Sequence, residues 1–219
     1  MEIPQSPFLL FRSTGAAALL SLCLSGILIS CVIALHVVGG IGFDELIRDP
    51  IAFLGGSIYT GFLSQVGILL WAAVSAICIF GSYCLPYAIG SRLTKRFLLA
   101  SGLLTSMLGL DDAFLLHEKS SVFLGISEKL IFLFYMLCTC AYLAKFYRLI
   151  LKTEYPLLGM AFCFFGLSIL LDVIEPATID PYLLEDSAKI AGIISFLMYF
   201  FRLGVMSIHH AYTQNQPFP

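Results

Sequence analysis

Long apolar segments alternate with short polar segments along this chain of 219 residues. Six of the apolar segments are long enough for a helix to cross the hydrocarbon core of a bilayer, which takes about 20 residues. They cover residues 14–38, 60–86, 97–118, 128–149, 156–175 and 182–212. The pattern therefore predicts an all-α fold: a polytopic membrane helical bundle with six transmembrane helices in a single integral membrane domain.

The composition supports a lipid environment. Hydrophobic residues make up 59% of the chain and charged residues 12%, whereas soluble domains carry about 25% charged residues. The predicted environment is the lipid bilayer, and no nucleic-acid partner is expected. All seven cysteines lie within apolar segments, where they are typical small hydrophobic residues and not a disulfide framework or a zinc site.

The distribution of charge predicts the orientation in the membrane. If six helices alternate in direction, eight of the twelve basic residues fall on the side that holds both termini. These are Arg12, Arg92, Lys95, Arg96, Lys145, Arg148, Lys152 and Arg202. Because loops rich in Lys and Arg stay in the cytoplasm, both termini are predicted to be cytoplasmic. The predicted location is the cell membrane, and for preference a bacterial inner membrane.

The third predicted helix ends in a group of ionisable residues: Asp111, Asp112, His117 and Glu118. Ionisable side chains at membrane depth are costly, and they usually mark a functional site. If the helix continues through Glu118, Asp111 and Glu118 lie on one stripe, with Asp112 and His117 on either side of it. The competing interpretation is that these side chains are solvated at the outer membrane surface.

Two later helices carry further polar side chains at the same predicted depth, three on each: Ser168, Asp172 and Glu175 on the fifth, and Glu185, Asp186 and Lys189 on the sixth. If these faces converge, several carboxylates share one pocket, and like charges so close cannot all stay ionised without a cation or raised pKa values. We expect Lys189 to be a counter-ion, hydrogen-bonded to Glu185 or to a carboxylate of the third or fifth helix.

A divalent cation is the cofactor that such a pocket predicts. Carboxylate oxygens suit Ca²⁺, Mg²⁺ or Mn²⁺, and Zn²⁺ suits the pocket less because His117 is the one imidazole among its candidate residues. The predicted metal ligands are Asp111, Glu118, Asp172 and Glu185. Asp112, Glu175 and Asp186 are further candidates for the same site.

Two motifs carry a resemblance to known proteins. Residues 111–118 read Asp-Asp-x-x-x-x-His-Glu, and residues 185–192 read Glu-Asp-x-x-Lys-x-x-Gly. In these motifs the chain resembles a type of uncharacterised bacterial multi-span membrane protein. The resemblance covers roughly the C-terminal half and implies no particular activity.

A second resemblance is to the alkaline ceramidase and progestin-receptor-like superfamily of membrane hydrolases. His117 is followed by Ser168 and Asp172 in a Ser-x-x-x-Asp run, in the order found in that superfamily. The superfamily has seven spans and a final His-x-x-x-His, and this chain has Glu185 and Lys189 at that spacing. The resemblance implies a membrane hydrolase whose zinc site is altered.

Three functions remain open at this point. A cation-binding membrane hydrolase would use a metal-activated water on a lipid-like substrate, with His117 and Asp172 as ligands or general base and Ser168 orienting the water. A cation- or proton-coupled transporter or channel would use the same acids, with Lys189 as a displaceable counter-charge. A non-catalytic accessory subunit would present the acidic surface to a membrane-protein partner or another copy of the chain. The sequence favours the first.

Overall fold

The protein folds into helices, with no strand, over the residues that its computed structural model describes: 14–85, 92–117, 119, 125–174 and 180–214. In chain order the helices are α1 Thr14–Gly39, α2 Phe43–Ile47, α3 Pro50–Leu54, α4 Phe62–Cys84, α5 Arg92–Phe114, α6 Glu128–Ile150, α7 Tyr155–Ile174 and α8 Pro181–Gln214. The prediction of an all-α fold is confirmed.

Six of these helices, α1 and α4 to α8, are long and apolar enough to cross a membrane. The protein is thus a polytopic, multi-pass membrane protein, as its hydrophobic pattern predicts. The main difference in helix bounds is at α5, which begins at Arg92 and not at Phe97. Its first turns include Lys95, which is buried and donates to the carbonyl of Leu85 at 3.3 Å, so the basic residues extend the helix beyond its apolar part.

The chain forms two compact units, Met1–Phe62 and Leu63–Pro219, where the sequence predicts one domain. The first unit contains α1 to α3. His36, near the end of α1, donates from Nδ1 to the carbonyl of Ile41 at 2.7 Å. The Asp49 side chain caps α3 by accepting from the backbone N–H groups of Ile51 and Ala52, so this acid has a structural role.

The second unit is organised around aromatic side chains of its membrane helices. Trp71 of α4 is buried and stacks on Phe165 of α7, with the ring centroids 5.5 Å apart. It also meets Phe196 of α8 edge to face. At the other end of the core, Phe97 of α5 stacks on Tyr142 of α6 at 5.6 Å. These contacts hold the helices in fixed positions around the site described below.

Helices α4 and α5 approach each other closely at Gly102. A Cβ on Gly102 would lie 2.6 Å from the Ile79 side chain and 3.2 Å from the carbonyl oxygen of Ser75. The Ser75 hydroxyl donates to the carbonyl of Gly102 at 3.1 Å, and it lies 2.5 Å from the Ser106 hydroxyl. Small residues and interhelical hydrogen bonds of this kind hold membrane helices together in lipid.

We therefore expect Gly102→Ala to lower the free energy of unfolding by about 1–3 kcal/mol, because the added methyl forces two packed helices apart. Thermal unfolding of the detergent-solubilised protein, followed by circular dichroism, measures the change. Gly166→Ala on α7 is the matched control, since a Cβ there meets nothing within 4 Å. Equal melting temperatures for the two variants would contradict this account of the α4–α5 contact.

Candidate functional site

The acidic motif lies at a break in the helix. Helix α5 ends at Phe114, and Leu115 then adopts a left-handed backbone conformation with φ 51°, which is costly for a residue other than glycine. The backbone N–H of His117 donates to Asp111 Oδ1 at 2.9 Å, and this bond stabilises the turn. The prediction of a continuous helical stripe from Asp111 to Glu118 is therefore wrong, because the helix ends between them. Glu118 itself lies outside the described residues.

Asp111 is buried and fully engaged by hydrogen bonds. The His117 ring lies with Nδ1 2.6 Å from Asp111 Oδ2, and the Tyr135 hydroxyl of α6 donates to Oδ1 at 2.8 Å. With the backbone bond from His117, three donors surround one carboxylate. Such a carboxylate is well solvated by the protein itself, and it anchors the turn after α5 to α6.

Asp112 forms an ion pair that joins two membrane helices. Its Oδ1 accepts from Lys189 Nζ, and Lys189 lies in the first turns of α8. Asp112 is buried, whereas the Lys189 side chain is 32% exposed. The contact agrees with the expectation that Lys189 meets a carboxylate of the third membrane helix.

The second carboxylate oxygen of Asp112, Oδ2, differs from Oδ1 in its hydrogen bonding. Oδ2 is buried and has no hydrogen-bond partner in the described part of the chain. It faces Gly67 of α4, where a Cβ would stand 3.8 Å from Oδ2 and also close to the side chains of Ile190 and Ile193. An unpaired carboxylate oxygen among apolar groups is costly. A proton, a small cation or a water molecule would remove that cost, and the absent Gly67 side chain leaves room beside the oxygen.

Ser168 and Asp172, two further predicted site residues, form no hydrogen bond or ion pair with this group in the described part of the chain. Ser168 of α7 is buried, but Asp172 is exposed in the last turn of that helix, beyond the core that covers Ser168. Among the described residues, no hydrogen bond or ion pair links Asp172 to Asp111, Asp112, His117 or Lys189. Glu185 and Asp186 are half-buried on α8. Glu175, like Glu118, lies outside the described residues.

The described side chains do not form a divalent-metal site. No group of three or more His, Cys, Asp or Glu among them is placed to hold a metal ion. Both oxygens of Asp111 accept hydrogen bonds and one oxygen of Asp112 meets Lys189, whereas a hard divalent cation takes six or more oxygen ligands. Because Glu118 lies outside the described residues, the metal site stays a prediction, and so does the hydrolase that depends on it.

Two residues of the site were missed by reasoning from the sequence. Tyr135 lies within an apolar run of α6, about two turns from the start of that helix. Its hydroxyl group is the one feature of the sequence that could have indicated a role in the site. Gly67 carries no chemical group, and its role depends on which helix face meets Asp112. Neither can be recognised without the packing of α4, α5 and α6.

A family model described as Domain of unknown function (DUF8692) matches residues 16–203. Because the match covers most of the chain, the protein belongs to this family. No curated protein sequence and no solved structure matches the chain. The family description names no activity.

Proposed function

We propose that this protein is a proton-coupled membrane transporter in which Asp112 takes up and releases the proton and Lys189 is its displaceable counter-charge. The observation that carries the proposal is the ion pair between the buried Asp112 of α5 and the half-buried Lys189 of α8, in which one oxygen of Asp112 has no partner among the described residues. Intramembrane ion pairs of this kind are typical of proton relays and ion pathways. By the charge distribution, the basic end faces the cytoplasm, which places Asp112 near the outer side.

Asp112, and not Asp111, is the carboxylate suited to exchange a proton. Asp111 accepts three hydrogen bonds, and protonation would disrupt at least one of them. Asp112 has one charged partner and one uncommitted oxygen, so a proton can bind at Oδ2 without displacing a donor. We assign Asp111, with His117 and Tyr135, to holding the turn that positions Asp112.

Protonation of Asp112 would also alter helix packing, which is the coupling that a transporter requires. Helix α8 packs along α7 and contacts α5 only sparsely, and the Asp112–Lys189 pair forms part of that contact. A neutral Asp112 no longer attracts Lys189, whose partly exposed chain can then turn its ammonium group toward water. The α5–α8 contact thus has two arrangements that proton binding can select.

Solid-supported membrane electrophysiology on proteoliposomes tests the proposal, since it needs no identified substrate. We expect a rapid drop in external pH to produce a transient current with the wild-type protein. Asp112→Asn should reduce this current to the level of protein-free liposomes, because the amide cannot take up the proton. Glu128→Gln is the matched control, since Glu128 is an exposed acid at the first position of α6, near the same end of the unit.

Two results would contradict the proposal. One is a proton-evoked current that is the same in Asp112→Asn and in the wild type. The other is a current that follows jumps in Ca²⁺ or Mg²⁺ at constant pH and is absent in jumps of pH, which would favour the predicted metal site.

A further inference from the structure

A cavity of about 600 Å³ opens at the opposite end of the second unit, between the turn that joins α6 to α7 and the second half of α8. Arg202, beside this cavity, lies thirteen residues after Lys189 on α8, which is about 20 Å along the helix axis. The cavity is therefore separate from the Asp112 site. Its polar lining residues are Lys152, Thr153, Glu154, Tyr199, Ser207 and His210.

Hydrogen bonds fix one wall of this cavity. The Thr153 hydroxyl donates to the carbonyl of Ile150 at 2.7 Å and lies 2.8 Å from the Tyr199 hydroxyl. These bonds join the α6–α7 turn to α8 and hold the polar groups of both at the cavity. Tyr199 is itself almost fully buried, so the wall is rigid where it meets the core.

A second contact determines the charge of the cavity. Arg202 donates to both carboxylate oxygens of Glu154, each at 2.5 Å. The hydrogen bonds from Arg202 lower the pKa of Glu154, so this carboxylate stays ionised and its charge is matched by the guanidinium. The charge of Lys152 is then not offset by Glu154, so the lining together with the adjacent Arg202 carries a net positive charge.

The remaining lining is apolar, because Leu203 and Met206 of α8 form part of it. The cavity thus combines a positive charge and hydroxyl groups with an apolar surface, at the end of helices that cross a membrane. That combination matches an amphiphilic anion. Basic pockets between membrane helices on the cytoplasmic side bind the head groups of anionic lipids in this way.

We propose that this cavity binds the phosphate group of an anionic phospholipid from the leaflet at the basic end, with Lys152 as the main electrostatic contact. Ser207 and the Tyr199–Thr153 pair supply hydroxyl groups near the head group, and Leu203 and Met206 contact the first part of the acyl chains. The inference is independent of proton coupling at Asp112. The bound lipid stabilises the α6–α7 turn against α8.

Lipid binding by the purified full-length protein tests the proposal. We expect phosphatidylglycerol in mixed micelles to raise the melting temperature in a saturable way, and we expect phosphatidylcholine and inorganic phosphate at the same concentration to have no effect. Lys152→Gln should weaken the apparent affinity about fivefold, which is the contribution of one basic residue near a membrane surface. Ser207→Phe, which fills the cavity, should abolish the saturable effect.

Arg148→Gln is the matched control, because Arg148 is exposed one turn before Lys152 and is not part of the cavity lining. It should bind phosphatidylglycerol like the wild type. Equal weakening by Arg148→Gln and Lys152→Gln would overturn the proposal, because it would indicate attraction by the whole basic surface. A response to inorganic phosphate as strong as the response to phosphatidylglycerol would overturn the assignment of a lipid.

Discussion

Replacing Lys189 with methionine is expected to lower the free energy of unfolding by about 3 kcal/mol, the lower end of the range for breaking a buried ion pair. The lower end applies because Lys189 is 32% exposed, whereas the carboxylate side chain of Asp112 is 10% exposed. Methionine matches the length of the aliphatic part of lysine, so little packing is lost. The loss of unfolding free energy therefore measures the cost of a buried carboxylate that is left without its cation.

A second substitution shows whether the loss of stability comes from the unpaired carboxylate or from a packing defect. Asp112→Asn in the Lys189→Met background removes the unpaired charge, so the double variant should recover much of the lost stability. Denaturant titrations of the solubilised single and double variants measure this recovery.

Lys129→Met is the matched control for Lys189→Met, since Lys129 is exposed in the first turn of α6. Its unfolding free energy should stay within about 0.5 kcal/mol of the wild type. A Lys189→Met variant as stable as this control would show that the pair with Asp112 contributes nothing, and the transport proposal would lose its main support.

Trp71→Ala is expected to lower the free energy of unfolding by roughly 3 kcal/mol. Large-to-small changes lose a transfer contribution and leave a cavity, but lipid is about as apolar as the protein core, so the transfer contribution is small here. The cavity contribution remains, because Trp71 packs against Phe165 of α7 and Phe196 of α8. A Cβ on Gly109 of α5 would lie 3.5 Å from Trp71 Cγ, an atom that alanine lacks, so α5 also packs against the part of the side chain that is removed.

Chemical unfolding in mixed micelles, followed by circular dichroism, compares this variant with Phe80→Ala. Phe80 is on the same helix, but it is 67% exposed, so its removal should cost little in detergent or lipid. Trp71→Ala should also weaken the proton-evoked current, because Asp112 lies less than one helical turn after Gly109 on α5. Equal stability of the two alanine variants would contradict the central role of Trp71.

The number and type of the membrane helices could be predicted from the sequence alone. A segment of about 20 apolar residues is stable in hydrocarbon only when its backbone hydrogen bonds are satisfied internally, and a helix does this with local contacts. The need of Lys189 for a carboxylate partner was also predictable, because it follows from the cost of an isolated charge at that depth.

The identity of the partners depended on the tertiary structure. The sequence offered Glu185 one turn from Lys189, but Lys189 pairs with Asp112, which lies 77 residues earlier in the chain. The sequence also favoured Asp111 over Asp112 as a site residue, whereas the oxygen without a partner belongs to Asp112. The two acids differ because the left-handed turn at Leu115 brings His117 back to Asp111, while Asp112 turns toward Lys189 and Gly67.

The predicted convergence of Asp172 with Asp111 and Asp112 also depended on the tertiary structure. Helical periodicity gives the face on which a side chain lies, and Asp172 does lie near the buried face of α7. It does not give the depth at which neighbouring helices stop covering that face, and Asp172 is exposed in the last turn. Helix formation and the cost of a buried charge are local properties that a sequence displays. The pairing of side chains depends on helix rotation and depth, which only the packing of α4 to α8 decides.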